Sequence, residues 1–425
     1  MKQIGDILDK KYDDKKVTLR GWIYRKRDQK QLIFLILRDS TDTIQAVVKK
    51  DSKAWEAAQR ATIESSVIVE GILKEDKRAP TGYELQVSKL DIIGLAEIFP
   101  ITRDKSTEFL MDVRHLWLRS REMAAALRIR SEVFKAIHDF FQSSGYVEFQ
   151  SPSLTASKCE GGSEVFEVKY FGQKAYLTQS WQLYAEAGIF ALEKIYCIAP
   201  SFRAEKSFTS RHLTEFWQAE AETAWQSFDE MLKQIEELMS FIAQKIAKTC
   251  KKELKLLGKD PDELLKIIPP FPRVKYSDAI KKLQKKGLKV KYGDDIGTPE
   301  EKALADMYDK PVLVTHYPKK IKSFYMKEDP KDSKQVLACD VMCKGVGETV
   351  GGSEREEDIK KLKARLKEAG EKIKEYEWYL DTRRYGSVPH CGFGVGTERL
   401  IRWLTGIQHV RDTIPFPRTP SRLKP

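Results

Sequence analysis

The sequence predicts an α+β chain in two parts, a small all-β barrel followed by a larger unit that mixes helices with an antiparallel sheet. Three observations predict it. Residues 17–93 hold five short runs of β-branched and apolar residues, with one helical stretch between the third and fourth. From residue 120 onward, long segments carry apolar residues at helical spacing. Between those segments lie strand-like stretches joined by polar or glycine-rich turns. At 425 residues, 41% of them hydrophobic, the chain is long enough to bury more than one core.

In the first part, VTLRGWIYRKRD, QLIFLILRD and TIQAVVKKD read as strands closed by Asp or Lys, and SKAWEAAQRA breaks to helical composition. SVIVEGILKED and GYELQVSKLDIIG return to strand around a Pro-Thr-Gly turn at 80–82. Three strands, a helix and two strands is the order of an oligonucleotide-binding (OB) barrel, placed at residues 1–100. Residues 101–112 read as a hinge, and 113–425 as the larger unit. There SREMAAALRIRSEVFKAIHDFFQSSGY predicts a helix ending near Gly145, followed by a strand-like VEFQSPSL. Residues 228–249 predict a second amphipathic helix. The lysine-rich stretch 250–295, with PPFP in it, reads as a surface segment attached to the core, and the charged run 353–376 as one long exposed helix.

Charged residues make up 32% of the chain and the net charge is +12, which favours an anionic partner, nucleic acid first. Residues 1–100 carry 19 Lys and Arg against 16 Asp and Glu, so the surplus is spread along the chain and not packed into a basic tail. The six cysteines include one close pair, Cys339 and Cys343, without the Cys/His spacing of a zinc site. Buried thiols in a reduced, cytoplasmic protein are expected. The N-terminus MKQIGDILDKKYDDKK is too charged for a signal peptide, and no apolar run approaches the roughly 18 residues of a membrane span.

Three stretches carry chemistry. SFRAEKSFTSRHLTEFWQAEAE (201–222) places Arg203, Glu205, Arg211, His212 and Glu215 between Phe202, Phe216 and Trp217, in a pattern suited to two strands joined by a polar loop. Arginine forks match phosphate oxygens, and an aromatic face suits a purine. HCGFGVGTERLIRWLTG (390–406) alternates glycines at 392, 394 and 396 along a strand, and Glu398 and Arg399 then open a helix. It lacks the third spacing of a dinucleotide fingerprint, and Arg399 behind the glycines is placed to meet a terminal phosphate. ACDVMCKGVGETVGGSERE (338–356) holds Asp340 and Glu348 in a strand-turn-strand pattern, where carboxylates beside phosphate-binding arginines suit Mg²⁺.

These stretches resemble the second and third signature motifs of the class II aminoacyl-tRNA synthetases, and QSSGYVEFQSPSL resembles the first. The class I signatures His-Ile-Gly-His and Lys-Met-Ser-Lys are absent. The resemblance runs from about residue 15 to the C-terminus. It implies ATP bound in a bent form, Mg²⁺ on Glu348 and Asp340, and a homodimer built on the first motif. Gly351 stands where some relatives have a metal-binding serine, which is why Asp340 is taken as the second ligand. It also implies that Arg203 bridges the α-phosphate and the amino-acid carboxylate, and that Arg211 and Arg399 hold the γ-phosphate. Phe216 and Arg399 would sandwich the adenine, with Glu205 at its edge or at the tRNA end and His212 in the same ATP-binding loop.

An OB barrel on such a core resembles the aspartyl, asparaginyl and lysyl subgroup, and three local features resemble its asparaginyl members. TQSWQLYAEAG (178–188) has Ala185 and Glu186 where aspartyl enzymes carry lysine and glutamine, so the cation that would pair a substrate carboxylate is missing. GETVGGSERE and YEWYLDTRRYGSVPH are the other two. The resemblance implies that L-asparagine is the amino acid, with Glu186 accepting from its amide NH₂ and Arg355 donating to its side-chain oxygen. Glu160, Glu164, Gln179 and Gln182 would complete the amino-acid site. In the barrel, Phe34 would stack on an anticodon base of tRNA(Asn), Gln45 would hydrogen-bond its edge, and Glu84 would make a further contact. Arg25, Lys26 and Arg27 are placed for phosphates. An aspartyl enzyme, including one that charges both tRNAs, is disfavoured by Ala185 and Glu186. An asparagine synthetase derived from this core would not need the barrel, and a non-catalytic paralogue would be expected to lose one of Arg203, Arg211 and Arg399.

Overall fold

The computed structural model describes residues 2–102, 104–159 and 164–425. The chain divides into two compact units, residues 1–110 and 111–425. In the first, β1 (Lys16–Asp28), β2 (Leu32–Arg38), β3 (Thr43–Lys49), β4 (Ser66–Glu75) and β5 (Tyr83–Gly94) close into a barrel in the order β1-β2-β3-β5-β4. Helix α1 (Trp55–Arg60) lies between β3 and β4, as predicted. Closure removes the free sheet edges that would otherwise invite pairing. Alternate residues point inward: Ile33, Leu35 and Leu37 of β2 meet Ile44, Ala46 and Val48 of β3 in the barrel core. Within the expected hinge, Thr107–Asp112 forms a short helix.

In the second unit, α2 (Arg121–Ser143) begins where Ser120 accepts from the Met123 amide. After it come β6 (Val147–Glu148), α3 (Gln182–Leu192), β7 (Lys194–Phe202), β8 (Glu215–Ala224) and α4 (Phe228–Thr249). A capping box of Ser227 and Glu230 starts α4. Next are β9 (Arg273–Lys275), α5 (Tyr276–Lys285), α6 (Thr298–Ala305), β10 (Val312–Pro318), β11 (Asp332–Cys343) and β12 (Gly347–Glu354). Helices α7 (Ile359–Glu368) and α8 (Glu377–Arg384), strand β13 (His390–Gly396) and α9 (Thr397–Thr405) follow. The main sheet runs β9-β10-β11-β12-β13-β8-β7-β6. Its interior is antiparallel, and only the edge pairs β9-β10 and β7-β6 are parallel.

Period-two alternation gives this sheet two different faces. Ala219 and Ala221 of β8, Val341 of β11, and Cys391, Phe393 and Val395 of β13 pack into the core with Ile129, Val133 and Ile137 of α2 and Leu232, Ile235 and Met239 of α4. The intervening residues, Gln218, Glu220 and Glu222 of β8 and Gly394 and Gly396 of β13, line a cleft on the other face.

Two expectations are corrected. The stretch 250–295 is not merely superficial: Leu254, Leu264, Ile267 and Phe271 enter the main core, and α5 buries Tyr276, Ala279, Ile280 and Leu283 while its lysines point out. Its apolar residues are few, but they fall at amphipathic spacing. The run 353–376 is not one helix either. Ser353 and Glu354 belong to β12, α7 covers ten residues and buries Leu362 and Leu366, and Ile373–Tyr376 is a separate 3₁₀ turn.

Candidate active site

The cleft has a volume of about 1140 Å³. One end is cationic. β7 ends at Phe202, the loop 203–214 follows, and β8 opens at Glu215, paired with Phe202. The Arg203 amide donates to the Thr214 carbonyl at 3.0 Å, and its guanidinium lies 5.4 Å from the centre of the Phe216 ring. Arg399 sits in the first turn of α9, directly after the β13 glycines. It donates from Nη1 to the Glu348 carbonyl at 3.0 Å and to Glu348 Oε2 at 3.2 Å, and from Nε to the Arg211 carbonyl at 3.3 Å. The sheet thus gathers Arg203, Arg211 and Arg399 at one end of the cleft. Burial, then Arg399, Arg211 and Arg203, push His212 down to about 4, so its imidazole is neutral near pH 7.

Asp340 and Glu348 converge beside this end. A Cβ on Gly351 would lie 3.4 Å from Glu348 Oε1 and 3.6 Å from Asp340 Oδ1, so both carboxylates face the space that Gly351 leaves open. Lys322, absent from the sequence expectations, donates to Asp340 Oδ2 at 2.5 Å. Burial raises the Asp340 carboxyl above its ordinary range. Burial acts the same way on Glu348, but Arg399, Lys322, Arg211 and Arg203 outweigh it and hold that carboxyl low. No group of three or more His, Cys, Asp or Glu positioned for a metal occurs among the described residues.

The other end holds a buried charge cluster. Arg355 donates from Nε and Nη2 to the two oxygens of Glu222, at 2.9 Å each, and from Nη1 to Ser353 Oγ at 2.9 Å. A side chain on Gly392 would overlap both Glu222 and Arg355, so that glycine makes room for the ion pair itself. Behind the pair, Glu186 accepts from Gln182 Nε2 at 2.9 Å, from Tyr379 Oη at 2.7 Å and from Arg383. His390 Nε2 lies 3.2 Å from the same carboxylate. Burial would raise the Glu186 carboxyl, but Arg383, then His390 and Arg355, hold it well below the usual range.

Two of the residues expected at the amino-acid site lie behind the cleft wall. Glu186 is wholly enclosed and both its oxygens have protein partners, so it supports the cleft wall. Ala185 is likewise buried, packed with Trp181, Cys197 and Ala224. The acids that line the cleft from β8 are Glu220 and Glu222, and Glu222, the one paired with Arg355, is one that sequence reasoning passed over. Its signal was available in QAEAE, where acids alternate with alanines at strand period. Gln182, Glu205 and Phe216 line the cleft. Gln179 is buried beside it, accepting from the Cys159 amide at 3.1 Å. Glu164 is exposed, and its carbonyl accepts from the Ala204 amide at 2.9 Å. Glu160 lies outside the described residues.

On the barrel, Phe34, Gln45 and Glu84 all alternate with core residues and so stand on its outer surface. Gln45 is paired with Glu84 across β3 and β5, and its Nε2 lies 3.4 Å from Glu84 Oε2. Phe34 is paired with Arg27, and Ile36 with Arg25, so an aromatic ring lies beside two exposed arginines. Lys26 departs from expectation: its ammonium is tied to the Gln59 and Ala61 carbonyls at 2.8 and 3.0 Å.

The family model for class II tRNA synthetases (D, K and N) matches residues 106–420, and the model for the OB-fold nucleic acid binding domain matches 17–93. The asparagine–tRNA ligase of Thermococcus kodakarensis is 50% identical over 417 residues, covering 97% of each chain. That of Thermoplasma acidophilum is 45% identical over 429 residues, covering 100% of both. The crystal structure of asparaginyl-tRNA synthetase from Pyrococcus horikoshii, complexed with asparaginyl-adenylate, superposes with a TM-score of 0.96 at 46% identity and covers 100% of both chains. The chain therefore belongs to the class II tRNA synthetases of the D, K and N group, and within them to the asparagine–tRNA ligase family.

Proposed function

We propose that this protein activates L-asparagine with ATP and transfers it to the 3′ end of tRNA(Asn). The observation that carries the amino-acid assignment is the charge balance at the inner end of the cleft. Arg355 is matched by Glu222 and Arg383 by Glu186, so the four charges sum to zero. A neutral amide fits such a site, its oxygen taking a donor from Arg355 and its NH₂ an acceptor from Glu222. The carboxylate of aspartate would face Glu222 with no spare cation beside it. The P. horikoshii structure, with asparaginyl-adenylate bound, supports the same reading.

At the cationic end the substrate carboxylate attacks the α-phosphorus and pyrophosphate leaves. Arg203 holds the α-phosphate and the carboxylate together, and Arg211 and Arg399 hold the outer phosphates. Fixed guanidinium groups stabilise the charge growing on the phosphate oxygens, and no general base is needed. Asp340 and Glu348 suit Mg²⁺, which takes one or two carboxylates and completes its shell with phosphate oxygens and water. When bound there it would neutralise phosphate charge. Phe216 and Arg399 enclose the adenine, with Glu205 at its edge and the neutral His212 steadying the loop. Gln179, Gln182, Glu160 and Glu164 serve the amino-acid side, and Ala185 and Glu186 shape its wall.

The chain acts as a homodimer, a reading supported by exposed Val147, Leu192 and Trp225 around the β6 edge of the sheet. Its place of action is the cytoplasm; no helix among the described residues is long and apolar enough to cross a membrane.

ATP–pyrophosphate exchange without tRNA tests the assignment. Exchange with asparagine and none with aspartate is the expected result; exchange with aspartate alone would sink the amide reading, and with neither, the activation reading. The barrel is tested separately. Phe34→Ala is expected to raise KM for tRNA(Asn) about tenfold or more while leaving amino-acid-dependent exchange intact, because base–aromatic stacking is worth about 1–3 kcal/mol. An unchanged KM for tRNA would remove Phe34 from the anticodon site.

A further inference from the structure

Arg211 is gripped by a residue from a distant part of the chain. It lies on the loop between β7 and β8, and its partner Glu301 lies on α6. Nη2 donates to Glu301 Oε1 at 2.7 Å and Nη1 donates to Oε2, a two-pronged pair in which both residues are buried. Glu301 Oε2 also accepts the backbone N–H of Glu348 at 2.6 Å. One carboxylate therefore joins the arginine loop to the first residues of β12, where Glu348 in turn meets Arg399. Gly347, at φ +91°, leaves the space for this junction, since a side chain there would collide with both Glu301 and Arg211.

Edge usage on the guanidinium is informative. Glu301 takes the end formed by Nη1 and Nη2. The Nε on the side edge is buried and has no hydrogen-bond partner in the structure. A guanidinium can bind an oxyanion through either edge, and a buried N–H without an acceptor is costly. The end-on clamp thus leaves the side edge without a protein acceptor, on an arginine that lines the cleft.

We infer that Glu301 is a positioning residue for the grip on ATP's terminal phosphates: it fixes Arg211 by one edge, presents the other to the phosphate, and couples that arginine to Glu348 and Arg399. This inference rests on the adenylate-forming reading. Burial drives the Glu301 carboxyl up, and Arg211 pulls against it. Arg211, in turn, is kept cationic by Glu301 against the opposing effect of burial. An arginine so held approaches ATP without first paying the entropy of ordering its long side chain.

The test uses Glu301→Gln in the full-length protein, with Glu301→Asp as a second variant that keeps the charge should the amide fail to fold. KM for ATP and for asparagine is measured by pyrophosphate exchange, alongside binding of a sulfamoyl analogue of asparaginyl-adenylate. That analogue has no β- or γ-phosphate. The role assigned to Glu301 requires KM for ATP to rise tenfold or more while KM for asparagine and analogue affinity stay within twofold. An unchanged KM for ATP would overturn it, as would parallel losses for ATP and the analogue, which would make Glu301 a staple for α6 and nothing more. Absence of exchange in the unsubstituted protein would overturn the adenylate-forming reading and this inference together, a pattern no variant-specific failure reproduces.

Discussion

Arg355→Leu is expected to abolish asparagine activation and to destabilise the protein at the same time. The catalytic loss should be on the order of a thousandfold in kcat/KM, the effect of deleting a charged donor from a desolvated site. The stability loss has a separate origin. Glu222 is buried, and Arg355 is its bidentate partner. Removing one member of such a pair strands the other, which costs about 3–5 kcal/mol. Burial already pushes the Glu222 carboxyl up, so the stranded acid would take a proton and escape only part of that penalty. The two effects separate in the double variant Arg355→Leu with Glu222→Gln. Urea unfolding should show most of the stability restored, while exchange activity stays absent. Recovery of activity in the double variant would show that the pair scaffolds the site and does not touch asparagine.

The second large effect is expected from Arg399→Ala. Adenylate formation measured in a single turnover should fall by roughly a hundred- to a thousandfold, as for loss of a fixed electrostatic stabiliser. Stability should change much less than for Arg355. Arg399 faces Glu348, but Lys322, Arg211 and Arg203 also act on that carboxylate, so it is not left alone. Arg399→Lys should recover little, because an ammonium cannot reproduce the planar fork that meets the Glu348 carbonyl, its carboxylate and the Arg211 carbonyl together. Transfer from preformed adenylate to tRNA should be affected less than its formation, since pyrophosphate has already left. Equal losses in both steps would take Arg399 off the outer phosphates and leave it only its place beside the adenine.

Much of this was legible in the residues. The barrel strands follow from alternating apolar runs, and α2 and α4 from helical spacing, because those signals are local and repeat within ten to twenty residues. The arginines of the cationic end were legible for a related reason. Arg203 and Arg211 share one loop and Arg399 opens a helix behind alternate glycines, so short motifs carried them. Phe34 shows the limit of such reading: QLIFLIL is apolar throughout, and only barrel closure decides that Ile33, Leu35 and Leu37 go in while Phe34 goes out.

The sequence by itself determined the two-part α+β architecture, the family and the arginines of the cationic end. Local periodicity and contiguous motifs suffice for these. Only the tertiary structure decided that Glu186 is walled in by Arg383 and Tyr379, that Glu222 takes its place at the cleft, and that Glu301 holds Arg211. Those pairs join residues separated by 90 to 197 positions. A carboxylate's role depends on which cation the fold brings within hydrogen-bond reach and how much water it excludes, and neither quantity is encoded by the residues next to it in the chain.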